Sequence, residues 1–431
     1  VNLPLVEVLT IGREILDGRV VDTNAVAIAE ILRPLGLVPR FAQKVDDDPE
    51  RIVEAFHIAA RRADIVLVTG GLGPTSDDLT AEAFARFLNE ATVVHPEALA
   101  QIEAWFSQHQ RPFTEVQRKQ ARLPPSCFVL RNLQGTAPGF GLARPGPHGR
   151  AQQWFFMPGV PREMKAMLRE QVLPSLPRSL AYRTHTWATH FTSEGELQNR
   201  LAPVEKKLPA GFELGYRTRF PENHIGLYGD CDDATREQSF RQLCSEVSHL
   251  LGRDVFSSAP GTTVKSLESE VVASLEKQNL QVATVESCTG GLVASRLTDV
   301  AGASRVFWAS WVTYDNAAKI TLGVPPKLIQ DHGAVSAEVA VSMAENGRQR
   351  LRAMGAEHPV CVGTTGIAGP DGGTVEKPAG LCFVACAFAD GTSRVERIQA
   401  RSGLPRSENK SFFAQKALDL LLSGAGSPRP D

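Results

Sequence analysis

The sequence predicts an α/β protein, with two α/β domains joined by a small α+β domain. Three observations point there. In the first and last thirds of the chain, short apolar runs open into glycine-rich loops and then into helical stretches. Strand, glycine loop, helix is the order of a parallel sheet, whose ligands bind beyond the carboxyl ends of the strands. Between about residues 180 and 257 the glycine loops stop, and strand-like runs precede one long amphipathic helix. The length of 431 residues corresponds to about two to three domains at roughly 150 residues each.

The elements follow in order. Val6 to Ile11 is an apolar run ending at Gly12, a buried strand feeding a loop. Asn24 to Leu32 has helical character and stops before Pro34 and Gly36. Pro49 opens the next helix after three aspartates, and Ile52, Phe56, Ala59 and Ala63 fall on one helical face. Ile65 to Val68 is an apolar strand leading into the loop at Thr69. In the middle segment Trp187 to Phe191 and His224 to Tyr228 read as strands. Ala234 to Leu251 reads as a helix with a stripe of Phe240, Leu243, Val247 and Leu250. Ser257 to Gly261 reads as a linker. After it come a helix from Val264 to Lys277 and strands at Gln281 to Val285, Arg305 to Tyr314 and Val360 to Val362. A long helix opens at Ser336, strands follow at Leu381 to Phe388 and Ser393 to Ile398, and a last helix runs from Asn409 to Leu422. The expected domains are residues 1–172, 173–257 and 262–425.

Composition narrows the function. At 42% hydrophobic residues the chain can bury a core, which excludes wholesale disorder. A net charge of -2, from 46 basic and 48 acidic residues, gives no global field to attract nucleic acid, so direct nucleic-acid binding is not expected. The longest apolar run, 381–389, is about half the roughly 20 residues that span a membrane. The beginning of the sequence lacks the profile of a signal peptide. No membrane association and a cytoplasmic location are therefore expected. Seven cysteines without a CxxC pair point to neither a disulfide framework nor a zinc site, and Cys382 and Cys386 read as buried on one face of a strand.

The first chemical motif is Thr69 to Thr80, TGGLGPTSDDLT. Glycines let a backbone approach a ligand closely, and free N–H groups there can hold phosphate or carboxylate. Asp77 and Asp78 follow where the next helix is expected to start. They either cap that helix or hold a divalent cation against a phosphate. No Gly-Lys-Ser/Thr follows, so this is not a Walker loop. Its companions are Gly12-Arg13-Glu14, Asn24, Gly135 to Phe140 (GTAPGF) and Met157 to Met164 (MPGVPREM).

These stretches, in this order and spacing, resemble the N-terminal domain of the CinA family, the competence/damage-inducible proteins. The resemblance implies a fold similar to molybdopterin-binding proteins and a metal-dependent ADP-ribose pyrophosphatase activity over residues 1 to about 170. It implies Glu14, Asp77 and Asp78 around a divalent metal ion. It places Asn24, Gly70, Gly71, Gly73, Thr75, Gly135, Thr136 and Glu163 against the substrate. The family's first loop usually carries an acidic residue between its Gly and Glu, and here Arg13 stands at that position.

The second motif is Glu286 to Gly291, ESCTGG. Ser287 follows a strand and precedes two glycines, where a nucleophile is exposed on a rigid turn beside backbone N–H groups. The alternative is a serine that caps a helix. Cys288 is a rival nucleophile. A serine hydroxyl needs a base, and no histidine is close in sequence; His332 and His358 stand in loop contexts. Lys319, five residues after Tyr314 in TYDNAAK, can serve if burial lowers its pKa, and otherwise reads as a solvated lysine. The third piece, Gly363 to Thr374, also follows a strand, so three loops should converge on one crevice.

VESCTGG, TYDNAAK and TTGIAGPDGGTVEKPAG resemble the C-terminal domain of the same family, known as nicotinamide mononucleotide (NMN) deamidase. The resemblance makes Ser287 the nucleophile, Lys319 its base and Tyr314 a supporting hydroxyl. Thr364 and Thr365 would position the amide or stabilise the oxyanion. Gly290, Gly291, Gly366 and Gly369 would line the substrate, and Arg406 would meet its phosphate. No cofactor is implied at this site. The family's late GxR…R element is followed loosely: Gly403-Leu404-Pro405-Arg406 has an extra residue, and Lys410 stands where a second arginine is usual. The middle segment is similar to the family's K-homology-like linking domain, for which a spacer or dimer-contact role is expected. The resemblance thus implies a homodimer and small nucleotides, NMN and ADP-ribose, as ligands. The rival reading is a non-enzymatic nucleotide- or pterin-binding adaptor linked to competence or recombination.

Overall fold

Every residue of the strand β1 (Val6–Ile11) is buried. Its one charged side chain, Glu7, is satisfied there by a two-pronged pair with Arg62, at 2.6 and 3.0 Å, and by Gln43 at 2.6 Å. The strand lies inside a six-stranded sheet of the computed structural model, which describes residues 4–177 and 181–424. The expected domain ends at residues 1 and 425 lie outside those described residues. The sheet is completed by β2 (Pro39–Val45), β3 (Ile65–Thr69), β6 (Phe128–Leu130), β7 (Gly139–Pro145) and β8 (Ala151–Met157), in the order β2-β1-β3-β8-β7-β6. A separate short pair joins β4 (Val93–Val94) to β5 (Arg122–Leu123).

Strands β2, β1, β3 and β8 run parallel, so their carboxyl ends line one edge. Because side chains alternate along a strand, each face of the sheet has its own core. Val6, Val8, Ile65 and Leu67 pack with Ile28 of the helix Thr23–Leu32. Leu9, Ile11, Val66 and Val68 pack with Ile52 and Phe56 of the helix Pro49–Arg62. Phe56 meets Phe84, Trp154 and Phe156 edge-on, with ring centroids 5.3–5.8 Å apart. Ile52, Phe56, Ala59 and Ala63 are all fully buried, as the sequence spacing predicts. Asp48 caps that helix through the amides of Glu50 and Arg51.

The chain divides into two compact units, Val1–Arg183 with Asp230–Ala234, and Thr184–Gly229 with Thr235–Asp431. The second unit carries two further sheets. One has the order β10-β11-β9-β12, formed by β9 (Tyr182–His190), β10 (Phe212–Arg219), β11 (Glu222–Asp230) and β12 (Val255–Pro260). Its helices are Glu194–Glu205 and Ala234–Leu251. The segment expected to be a linker is therefore mostly strand: β12 pairs antiparallel with β9, from Val255–Thr189 to Pro260–His185. The strand expected at Trp187 to Phe191 begins earlier, at Tyr182, and ends at His190, because Phe191 takes a left-handed φ of 66°. Gly226-Leu227-Tyr228-Gly229 spells a GXXG. It lies within β11, with Gly226 opposite Gly215 and Gly229 opposite Phe212, and so is no clamp loop.

The last sheet has the order β14-β13-β15-β16-β17. Its strands are β13 (Gln281–Glu286), β14 (Phe307–Val312), β15 (Pro359–Gly366), β16 (Leu381–Ala387) and β17 (Ser393–Gln399). β14, β13 and β15 are parallel, so the loops after Val312, Glu286 and Gly366 share one edge. The helices Leu267–Lys277, Leu292–Thr298 and Arg406–Gly424 cover one face, and Ala337–Ala353 the other. Cys382 and Cys386 are fully buried in the first of these cores. Among the described residues, no helix is long and apolar enough to cross a membrane.

Candidate functional site

Ser287 is the first residue after β13, and its amide is tied to the carbonyl of Thr364 on β15 at 3.0 Å. It does not cap the following helix. That helix, Leu292–Thr298, begins five residues on, behind Gly290 and Gly291, which take left-handed φ values of 62° and 91° that disfavour a side chain. The capping falls to Glu286. Its carboxylate accepts from the amides of Gly291 (2.9 Å), Val293 (3.1 Å) and Ala294 (2.9 Å), and from the Thr284 hydroxyl (3.1 Å). The Ser287 hydroxyl is left for another partner.

That partner is Lys319. Its Nζ lies 3.1 Å from Ser287 Oγ, 2.9 Å from the Thr313 carbonyl and 3.2 Å from the Tyr314 carbonyl. The side chain is 2% exposed, so it is not a solvated lysine. Burial, the dominant cause, pulls its ammonium below the ordinary lysine range, against the opposing charge of Asp315. The neutral amine has two N–H bonds and one lone pair. As an ammonium Lys319 donates to all three oxygens; a lysine that gives up one proton keeps two N–H groups for the carbonyls and can turn its lone pair to the serine hydroxyl, as a general base does.

The other expected residues of this site are distributed as follows. Tyr314 is 59% exposed, and its hydroxyl accepts from Arg406 at 2.6 Å. Arg406 also donates to the carbonyl of Gly369, at 2.7 Å. Lys410, one turn further along the same helix, brings its Nζ within 3.6 Å of where a Cβ on Gly290 would stand. Arg406 and Lys410 thus bring two cations to the loops around Ser287. Thr364 and Thr365 are consecutive on β15, so their side chains take opposite faces. The Thr364 hydroxyl pairs with that of Thr289 at 2.8 Å, and the Thr365 hydroxyl donates to the carbonyl of Ala334 at 2.7 Å. Gly366 ends β15, and a side chain there would strike the carbonyl of Leu381. Cys288, the rival nucleophile, turns into the core, with its sulfur 3.7 Å from that of Cys382. His332 and His358 are both exposed, and His358 stands at the amino end of β15, across the sheet from Ser287.

In the first unit, the carboxyl ends of the parallel strands border a cleft of about 550 Å³. It gathers Glu14, Asn24, Gly70, Gly71, Gly73, Thr75, Asp77, Asp78, Thr136 and Glu163, with Gly135 packed directly against the Glu163 carboxylate. A Cβ on Gly70 would stand 2.1 Å from the carbonyl of Ile11, which explains the glycine at the turn. Asn24 donates to Thr69 Oγ1 (2.9 Å) and to the carbonyl of Gly159 (2.7 Å), joining two of the loops. Glu163 accepts from Asn132 at 2.6 Å. Asp77 and Asp78 do not cap a helix. The helix starts later, at Thr80, and its cap position is Leu79 with no side-chain bond. Both carboxylates instead accept from the hydroxyl of Thr75, and Asp78 also from its amide, while Lys119 donates to the carbonyls of Thr75 and Asp78.

For a metal ion the donor set is mixed. Among the described residues no group of three or more His, Cys, Asp or Glu side chains is close enough to hold one. A magnesium-like ion does not require such a cage, because it is often held by one or two carboxylates together with substrate phosphates. Asp47 supplies a carboxylate that sequence reasoning missed. It accepts from the amide of Arg13 at 2.9 Å. Burial first, and then the charges of Glu14 and Asp77, push its carboxyl above the usual range. Asp47 thus brings its carboxylate toward Glu14 and Asp77, with Arg13 beside them. Position was the available signal for Asp47, since it lies just beyond the carboxyl end of β2. Glu286 was missed as well, because the serine beside it in the motif is the more usual helix cap.

A family model described as the CinA C-terminal domain matches residues 264–424, and one described as a probable molybdopterin binding domain matches residues 7–178. A CinA-like protein of Desulfosudis oleivorans is 41% identical over 426 residues, covering 97% of this chain and 98% of its own. One of Chlorobaculum tepidum is 38% identical, covering 96% and 97%. Among solved structures, a CinA protein of Thermoplasma acidophilum is 37% identical over 40% of this chain and 99% of its own, with a TM-score of 0.37. A CinA-superfamily protein of Escherichia coli is 28% identical over 37% and 90%, with a TM-score of 0.33.

Proposed function

The chain belongs to the CinA family, and from that premise we propose that its C-terminal domain is a serine amidohydrolase converting NMN to nicotinate mononucleotide and ammonia. The observation that carries the reading is the buried Lys319 amine 3.1 Å from Ser287 Oγ. Ser287 Oγ adds to the carboxamide carbon as its proton passes to Lys319 Nζ. The tetrahedral intermediate collapses when Lys319 returns that proton to the amide nitrogen, so the C–N bond breaks and ammonia leaves. A water molecule, deprotonated by the same amine, then adds to the Ser287 ester. The C–O bond to serine breaks as Lys319 returns this proton to Ser287 Oγ, and the acid is released. Arg406 and Lys410 hold the phosphate, the first with its planar fork and the second as a point charge. An enzyme-coupled ammonia assay with NMN, and with the riboside that lacks the phosphate, tests this. Turnover of NMN with a much weaker response to the riboside is expected. No ammonia from either would remove the reading.

For the N-terminal domain the same premise supports cleavage of the ADP-ribose pyrophosphate to AMP and ribose 5-phosphate. The glycine loop from Gly70 to Thr75 borders a cleft large enough for a nucleotide. Glu14, Asp77 and Asp78, joined by Asp47, are the carboxylates that would hold a divalent ion. When bound, that ion supplies charge neutralisation at the pyrophosphate oxygens. Chromatography of ADP-ribose incubated with the whole chain and magnesium or manganese tests it, and absence of AMP in either metal would leave a binding domain.

A further inference from the structure

The amidohydrolase reading requires a serine hydroxyl that is free and an amide-lined loop that is rigid. Both conditions trace to one buried group. Glu286 is 0% exposed, and its two oxygens take four donors: Gly291 N and Val293 N on one, Ala294 N and Thr284 Oγ1 on the other. The Thr284 hydroxyl is held in turn by Ser310 on β14, at 2.7 Å. Two more bonds fix the backbone on either side. The Glu286 carbonyl accepts from Thr313 N at 2.8 Å, and Ser287 N donates to the Thr364 carbonyl. A helix start leaves several amides without partners, and a serine just ahead of a helix is the usual residue to satisfy them. Here the carboxylate does so, and a charged acceptor is the stronger one at the positive end of a helix.

Resting on the amidohydrolase reading, we propose that Glu286 is a positioning residue for the nucleophile. It takes over the cap, leaves Ser287 Oγ to Lys319, and holds the turn 287–290 so that its backbone amides face the reacting carbonyl. Gly290 N is tied to the Ser287 carbonyl at 3.1 Å, which closes the turn. The amide of Cys288, the residue after the nucleophile, is then the one set to meet the oxyanion, which is where hydrolases with a nucleophile on a sharp turn place that donor. The Cys288 side chain does not compete, because it is packed against Cys382. Without the carboxylate, three amides at the start of the helix lose their acceptor, and the turn that carries Ser287 loses its anchor.

The experiment compares wild type with Glu286→Gln and Glu286→Ala as full chains. It reads kcat and KM for ammonia release from NMN, calorimetric binding of nicotinate mononucleotide, and the thermal melt. A shift of the reacting groups by about 1 Å costs on the order of 10²-fold in rate, so Glu286→Ala should lose about that factor in kcat. Its KM, product affinity and binding stoichiometry should stay near wild type. Glutamine keeps one oxygen for two of the amides and should recover most of the loss. The proposal is overturned if Glu286→Ala keeps full kcat. It is also overturned if kcat falls only in step with binding stoichiometry, or if glutamine does no better than alanine. Absence of ammonia from the wild-type chain would instead remove the amidohydrolase reading, and this proposal with it.

Discussion

Replacing Lys319 by methionine removes the amine and keeps a side chain of similar length. Two effects compete. Chemically, Ser287 loses the amine 3.1 Å from its hydroxyl, and general-base catalysis is worth about 10²–10⁴-fold. Structurally, the carbonyls of Thr313 and Tyr314 lose a donor. At about 0.5–1.5 kcal/mol for each bond, the cost is on the order of 1–3 kcal/mol. Relief from burying the amine offsets part of it. For a domain of this size 1 kcal/mol shifts the melting midpoint by roughly 2–4 °C, so the variant should remain folded at 25 °C. Loss of activity therefore reports chemistry rather than unfolding. The assay is ammonia release from NMN with a parallel melt by circular dichroism. The pH profile adds a sign. Only the neutral amine has a lone pair, so wild-type kcat should rise with pH through the lowered pKa of Lys319, below the ordinary lysine range. A folded Lys319→Met protein that keeps wild-type kcat, or a wild-type profile that rises only in the ordinary lysine range, would refute the reasoning.

Arg406→Ala should raise KM for NMN by about 10–100-fold with little change in kcat, since a hydrogen bond to a charged group is worth about 1.5–3 kcal/mol; steady-state kinetics decides it. Chelation with EDTA should stop AMP release from ADP-ribose while ammonia release from NMN continues, because only the first reaction is assigned a divalent ion; both products can be followed in one incubation. Cys288→Ala, which keeps the backbone amide and removes a thiol packed against Cys382, should retain ammonia release, whereas loss of activity matched by a folded melt would make the sulfur the nucleophile.

In the first sheet β1 and β3 were legible as short apolar runs that open into glycine loops, whereas β2, β6, β7 and β8 were not read; all five strands of the last sheet were. The helix Pro49–Arg62 was legible through Ile52, Phe56, Ala59 and Ala63, whose spacing is that of one buried face. The middle segment was read less completely. β10 carries Glu213, Arg217 and Arg219 on a half-exposed surface, so its apolar signal is weak. The helix Glu194–Glu205 holds Pro203 inside it, a residue that normally argues against a helix. Ser257 to Pro260 looks like a linker by composition, yet its backbone bonds are made by pairing with β9, a partner about seventy residues away that no local pattern shows. The meeting of Ser287 with Lys319 could be anticipated from three loops on adjacent parallel strands. The capping by Glu286 could not, because Glu286 stands five residues ahead of the cap position Gly291 and the cap expected from the motif was Ser287. Asp77 and Asp78 were misplaced by two to three residues for a related reason: in the loop they bond Thr75 rather than the helix that follows.

The central claim is that Ser287, activated by buried Lys319, hydrolyses the amide of NMN. The most direct measurement incubates NMN with the whole chain, and separately with Ser287→Ala, and identifies the products by mass together with released ammonia. Nicotinate mononucleotide and ammonia in equal amounts from the wild type, and neither from a folded Ser287→Ala protein, is the expected result. Unchanged NMN with the wild-type chain, or equal conversion by Ser287→Ala, would contradict it.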